Sequence, residues 1–416
     1  MNILILGGTG AMGEHLVRLL EKDGAEVFVT TRSERKSREH VHYLRGNARD
    51  EIFLREILKT RRDVIVDFMA YGTEEFRARA QMLLDATDQY VFLSSARVYA
   101  NSETPIRETS PRLLESSDDA EFLATDEYAL AKARQENFLR DSGRTNWTVI
   151  RPYITFSEIR LQLGVLEKEE WLYRALHGRT IVFSEEMRKK FTTMTYGLDV
   201  AGGIKAVIGV PAALGETFHI TVSESQTWDD VLSLYLRVLK EHLGTEPKVI
   251  FARERAFMKF HPAKYQIRYD RFFNRRFDNS KISAFYDMKT LLPTRVRLEQ
   301  CLRDFLKAPQ FCSVNWAREA EADKLAGERT PLREINGGGA EQKFHICFLG
   351  MFPQEHSSLK LFGKERKFYG NKKILRRKER TNLGRVAEEA RRKKSDRIAG
   401  NDEYFICCQR TMRSVF

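Results

Sequence analysis

The chain has 416 residues, 42% hydrophobic and 31% charged, a balance suited to a globular protein of two or three domains with ample material for a core. It holds no run of about 18 apolar residues, so no helical membrane span is expected. The net charge of +12 is concentrated in one place: from Ala340 to Phe416 there are 19 Lys and Arg against 9 Asp and Glu, leaving 51 against 49 in the first 339 residues. An argument from charge to nucleic acid therefore applies to the tail alone.

The apolar start, MNILILGG, has no basic stretch before it and reads as a strand, not a signal peptide. Strand-like runs follow at Asn2–Leu6, Glu26–Thr31, Asp63–Ala70, Tyr90–Ser95 and Trp147–Tyr153. Between them lie patterns such as GEHLVRLLEKDG and TEEFRARAQMLLDAT, apolar at helical spacing. Near-continuous apolar strands alternating with helices indicate an α/β fold, a Rossmann-like, doubly wound parallel sheet covered on both faces. Residues 1–155 are expected to form a dinucleotide-binding domain. Residues 156–306 read as a smaller, mixed substrate-binding cap, with an amphipathic helix around Glu167–His177 and a strand at Thr217–Val222 that returns to the main sheet. Residues 307–340 read as a linker, polar from Ala317 and ending in NGGGA, and 341–416 as a basic, disordered tail in which Leu375–Ile398 has the pattern of a polar helix. The five cysteines (Cys301, Cys312, Cys347, Cys407 and Cys408) are too few and too late for a disulfide framework. No Cys/His group has metal-ligand spacing, so no metal is expected, and a reduced cytoplasmic compartment is the simplest reading.

After the first strand comes LGGTGAMGEHLV. Gly8, Gly10 and Gly13 fit G-x-G-x-x-G, and Gly7, Gly10 and Gly13 fit G-x-x-G-x-x-G. A tight strand-to-helix turn lets backbone N–H groups approach a pyrophosphate, and the helix N-terminus favours its charge. At the end of the second strand an acid would suit the ribose of NAD. Here Thr30, Thr31 and Arg32 stand instead, and Arg32 favours the 2′-phosphate of NADP over NAD, against the alternative of a solvated surface arginine.

The stretch DEYALAK puts Tyr128 and Lys132 four residues apart, on one face of a helix. A free phenol titrates near pH 10, and a neighbouring ammonium group lowers that value, making Tyr128 a candidate acid/base for a carbinol or carbonyl oxygen. Upstream, VFLSSARVYA ends a buried strand in two serines, and Ser95 is positioned to donate to the same oxygen; strand-end capping is the alternative for Ser94 and Ser95.

In this order and spacing, GGTGAMG, LSSARVY, YALAK and VIRP resemble the extended short-chain dehydrogenase/reductases, the group of NAD-dependent nucleotide-sugar epimerases, dehydratases and reductases. TYGLDVAGGI and GETFHITVSESQTWDDV are similar to later segments of that family, and the resemblance covers residues 1–306. It implies a catalytic set of Ser95, Tyr128 and Lys132, with Tyr153 near a nicotinamide. Met12 in the glycine turn, Asn47 after the third strand and Ala70 complete the expected cofactor contacts. Asn47 replaces an acid that often contacts adenine. Ala96–Arg97 stands where the 4,6-dehydratases carry Asp-Glu, which removes the proton-transfer groups for water loss. The implied reaction is hydride transfer between a carbinol carbon of a nucleotide-activated sugar and NAD(P), with epimerisation or net reduction as the outcome. Lys264, Arg268, Arg271 and Arg275 in the cap are candidates for its phosphates. A homodimer is implied by the resemblance alone. The alternative is a non-catalytic NADP-binding sensor or RNA-associated scaffold of the same fold, with the tail as anchor; nucleic acid enters only through that tail.

Overall fold

The computed structural model describes residues 1–331. Strand β1 (Asn2–Leu6) leads into helix α1 (Gly13–Lys22), then β2 (Glu26–Thr31), β3 (Val41–Arg45), α2 (Glu51–Ile57), β4 (Arg62–Asp67), α3 (Thr73–Asp85) and β5 (Thr87–Leu93). After a long connection come α4 (Tyr128–Arg140) and β6 (Trp147–Pro152). Further on, α5 (Lys168–Leu176) and α6 (Gly197–Val207) precede β7 (Glu216–Ile220). The seven strands form one parallel sheet in the order β7-β6-β5-β4-β1-β2-β3. The order reverses between β1 and β4, so the crevice beyond their carboxyl ends is where this topology receives a ligand.

Alternation along the strands explains the two-sided core. Ile3 and Ile5 face one hydrophobic cluster with Val27, Val29, Val64 and Val66, while Leu4, Leu6 and Ile65 face another on the opposite side. Both faces are covered by helices, which is why the strands read as continuous apolar runs rather than alternating ones. A third cluster, built on Trp171, Trp228 and Tyr235, belongs to the later half of the chain. There Trp171 stacks on Tyr235 with ring centroids 4.5 Å apart.

The segment Thr217–Val222 does return to the main sheet, pairing with β6 through Glu216–Ile220. Two expectations need correction. The strand read as Tyr90–Ser95 ends at Leu93, because Ser95 turns to cap a short 3-10 segment at Ala96–Val98. Within the stretch read as a polar linker, a helix occupies Trp316–Ala326. Asn315 caps it by accepting from Arg318 N at 3.1 Å, and Gly327 ends it at a φ of 67°. Its inward acids, Glu319 and Asp323, meet the buried Arg174 at 2.8 and 2.9 Å. Polar composition concealed a buried ion cluster, which periodicity of apolar residues does not detect. Residues 332–416, and with them the end of the expected linker and all of the expected tail with its candidate helix, lie outside the described residues. Among the described residues no helix is long and apolar enough to cross a membrane, and no His/Cys/Asp/Glu group has the arrangement of a metal site.

Candidate active site

The turn between β1 and α1 is shaped by its glycines. Gly7 adopts a φ of 70°, and its N–H donates to Thr30 Oγ1 at 3.0 Å, tying the turn to β2. A Cβ on Gly13 would lie 2.6 Å from the backbone of Gly8, so only glycine lets α1 start this close to the strand. A Cβ on Gly10 would meet no protein atom within 4 Å. Gly13→Ala is therefore expected to force α1 outward and cost about 1–3 kcal/mol as an overpacked contact, read as a lower urea midpoint. Gly10→Ala should leave that midpoint nearly unchanged.

At the carboxyl ends of the strands lies a cavity of about 210 Å³. Six of the expected site residues line it: Met12, Ala70, Ser95, Tyr128, Lys132 and Tyr153. Tyr128 and Lys132 enter on the first turns of α4, whose start is capped by the Glu127 side chain accepting from Ala129 N at 2.7 Å. Ser95 follows β5 and accepts from Arg97 N at 3.2 Å. Tyr153 follows β6, is 2% exposed and packs its ring 5.4 Å from that of Phe277. The next residue, Ile154, holds a φ of 33°, a strained conformation for a β-branched side chain in the cavity wall.

The electrostatics differ from the simple lysine–tyrosine picture. Lys132 Nζ donates to the Leu93 carbonyl oxygen at 2.8 Å and stands 6.0 Å from the Tyr128 ring centroid. Burial pushes the ammonium down to about 8 against the opposing pull of Asp67 and Glu136. Burial also pushes the Tyr128 phenol above its ordinary value, opposed first by the Arg97 charge, then by a hydrogen bond with Ser95 and by the Arg160 charge. The Arg97 guanidinium lies 5.2 Å from the Tyr128 ring centroid and pairs with Glu127. Thus Arg97, not Lys132, is the principal cation acting on the phenol. The sequence marked Arg97 only as a departure from a dehydratase pattern, and it gave no signal for Arg160, Gln162 or Gln266, which also line the cavity.

Residues 3–183 match the model of the NAD dependent epimerase/dehydratase family. Over these residues the chain is similar to that family. Over 243 residues the chain is 25% identical to the chloroplast stem-loop binding protein of 41 kDa b from Arabidopsis thaliana, covering 55% of this chain and 60% of that protein. Over 137 residues it is 31% identical to the UDP-glucose 4-epimerase of Streptococcus mutans, covering 27% of this chain and 41% of the enzyme. The chain thus spans less than two thirds of the length of either curated relative. The fold is similar to that of the UDP-glucuronic acid 4-epimerase from Bacillus cereus, solved in complex with UDP-glucuronic acid and NAD, with a TM-score of 0.56 at 16% identity over 74% of this chain and 99% of the enzyme.

Within residues 3–183, a buried ion cluster ties α4 to the ends of β5 and β6. Glu136, on α4 one turn after Lys132, accepts from Ser94 Oγ at 2.6 Å, from Arg151 Nε at 2.8 Å and from Arg112 Nη1 at 2.9 Å. Ser94 is thereby committed to structure, leaving Ser95 as the serine beside the phenol. Other expected site residues lie off the cavity. Arg32 and Asn47 are exposed beyond β2 and β3, and Asn47 Oδ1 accepts from Arg49 N at 3.1 Å. A smaller hollow of about 80 Å³ beside the glycine turn is lined by Gly8, Glu14, Arg18, Arg35, Arg38 and Tyr43. Of the cap cations, Arg271 lines the main cavity. Arg275 is fully buried, bonded to Asp270 at 3.0 Å and to the Tyr99 carbonyl oxygen at 3.0 Å. Lys264 and Arg268 pair on the surface with Glu121 and Glu254.

Proposed function

We propose that this protein is an NAD(P)-dependent epimerase or reductase of a nucleotide-activated sugar, with Ser95, Tyr128 and Lys132 as its acid/base set. The observation that carries this reading is that these three residues line one cavity at the carboxyl ends of β5 and α4's neighbouring strands, in a chain whose residues 3–183 match the model of the epimerase/dehydratase family. The residues fit a dinucleotide. Gly10 offers backbone with room beside it, Gly13 keeps the α1 N-terminus against the turn, and Met12 and Ala70 lead from there into the cavity. Exposed Arg32, with Arg35 and Arg38 nearby, would favour a 2′-phosphate, while the Bacillus cereus enzyme was solved with NAD. When bound, the nicotinamide would accept a hydride from a carbinol carbon or donate one to a carbonyl carbon.

The chain's own part is to hold and move a proton. Tyr128 takes the proton from the carbinol oxygen, or gives it back to the carbonyl oxygen. Ser95 donates a hydrogen bond to that oxygen and keeps it within reach. Lys132, fixed by the Leu93 carbonyl, is held to meet a ribose hydroxyl. The absence of carboxylates at Ala96–Arg97 leaves no second acid/base pair there for loss of water.

The experiment is mass spectrometry of small molecules released on denaturing the purified protein. Retained NAD⁺ or NADP⁺ would support an epimerase that regenerates its cofactor in place, and an empty site that takes up NADPH reversibly would support net reduction. A protein that binds neither would overturn the reading. The match to a stem-loop binding protein favours one second reading, an RNA-associated scaffold. It predicts RNA binding that weakens steeply with salt, without turnover.

A further inference from the structure

Resting on that reading, we propose that Gln266, together with Gln162, selects a sugar that keeps its hydroxyls and rejects its deoxy analogues. Gln266 is 8% exposed and lines the cavity that holds Tyr128. Neither end of its amide meets a hydrogen-bond partner among the described residues. The unpartnered Oε1 of Gln135 and Oδ1 of Asn146 are sealed inside the protein, whereas both ends of the Gln266 amide keep accessible surface. A polar group carried this deep without a partner costs free energy, which a bound ligand recovers by pairing with it.

The local fold fixes where this amide stands. Gln266 precedes a π-helical turn, Ile267–Arg271, closed by Phe272 N donating to the Ile267 carbonyl oxygen at 2.9 Å. Side chains of that turn pin it to other parts of the chain. Arg271 Nε donates to the Gly164 carbonyl oxygen at 2.9 Å. The buried Asp270 accepts from Arg275 Nε at 3.0 Å, and Arg275 in turn donates to the Tyr99 carbonyl oxygen at 3.0 Å. An amide on so anchored a turn is held in place before any ligand arrives.

Gln162 comes from a distant part of the chain and lines the same cavity. It is 1% exposed, and its Nε2 donates to Glu167 at 2.5 Å, leaving Oε1 with no donor among the described residues. Together the two side chains offer two amide oxygens that accept and one NH2 group that donates. A hydroxyl both donates and accepts, so neighbouring hydroxyls on a sugar ring answer all three. A phosphate or carboxylate only accepts and would leave both oxygens unmet. A methylene in place of a carbinol answers none. A site built to bond a hydroxyl rejects the analogue that lacks it, because its own buried groups then stay unpaired.

The test is calorimetric titration of the full chain, saturated with NAD⁺, with UDP-glucose and with its 2-deoxy, 3-deoxy and 6-deoxy analogues. At least one analogue is expected to bind about tenfold or more weakly than UDP-glucose, and Gln266→Met is expected to narrow that ratio to less than about threefold. Because the Gln266 amide has no protein partner to lose, the urea midpoint should not fall in Gln266→Met. Equal affinities for all four probes, a preference unchanged in Gln266→Met, or a lowered midpoint would overturn the role of Gln266 while leaving the nucleotide-sugar reading in place. Failure of every probe to bind, in protein that takes up NAD⁺, would overturn the nucleotide-sugar reading and this inference with it.

Discussion

Tyr128→Phe should lower kcat by about 10²–10⁴-fold, the usual contribution of a positioned acid/base, while the dissociation constant for the nicotinamide cofactor stays within about twofold. The substitution removes one oxygen atom and keeps the ring, which packs beside Arg97 and in the cavity wall. In the proposed reading the cofactor is held by the glycine turn and Lys132, so binding and turnover should separate. The pH dependence is a further check. Burial holds the phenol above its ordinary value despite the pull of Arg97 and Ser95. Carbinol oxidation needs the deprotonated phenol, so its rate in the wild type should climb with pH through the neutral and alkaline range. Reduction of a carbonyl needs the protonated form and should be flat there. In Tyr128→Phe the climb should vanish with the rate. Full turnover in the variant, measured with any sugar the wild type converts, would remove Tyr128 from the acid/base role.

The parts of this molecule that were readable from the sequence are those that periodicity and local geometry control. β1 and β2 emerge with the boundaries their apolar runs indicate, because strands buried on both faces leave continuous hydrophobic signatures. The glycine turn was readable because Gly13 meets backbone, a constraint with one chemical answer. Tyr128 and Lys132 fall on one helix face by spacing alone. What was not readable depends on residues distant in sequence. Arg97 faces Tyr128 only because the end of β5 abuts the start of α4, and Arg160 joins them from a loop after β6. Helix Trp316–Ala326 was concealed because its inward residues are acids neutralised by Arg174 and Arg179, which lie about 140 residues earlier in the chain. Charge that pairs across such distances looks, locally, like a solvated linker.

The same principle makes Glu136 the position where one substitution should damage the fold most. Its carboxylate is fully buried, and so is Arg151, whose Nε donates to it at 2.8 Å. Burial alone would push Glu136 up. The Arg151 charge and hydrogen bond, the Ser94 hydroxyl and the Arg112 charge outweigh burial and hold it at about 2, against an ordinary 4.5. A folded-state value below the unfolded one means stability that is present above pH 4.5 and lost as pH falls toward 2. That shift corresponds to roughly 3 kcal/mol. Glu136→Gln keeps the shape and removes the charge, leaving Arg151 buried without its anion, and breaking a buried pair from one side costs about 3–5 kcal/mol. The urea midpoint at pH 7 should fall accordingly, and the acid-dependent loss of stability between pH 5 and 3 should become shallower than in the wild type. A loss below about 1 kcal/mol at pH 7 would mean that Arg112 and Ser94 re-pair with Arg151's surroundings, and that the cluster is not the strut described. Because the strut joins the end of β5 to α4 and β6, the folded fraction of Glu136→Gln should also turn over more slowly. The loosened elements are the ones that carry Ser95, Lys132 and Tyr153.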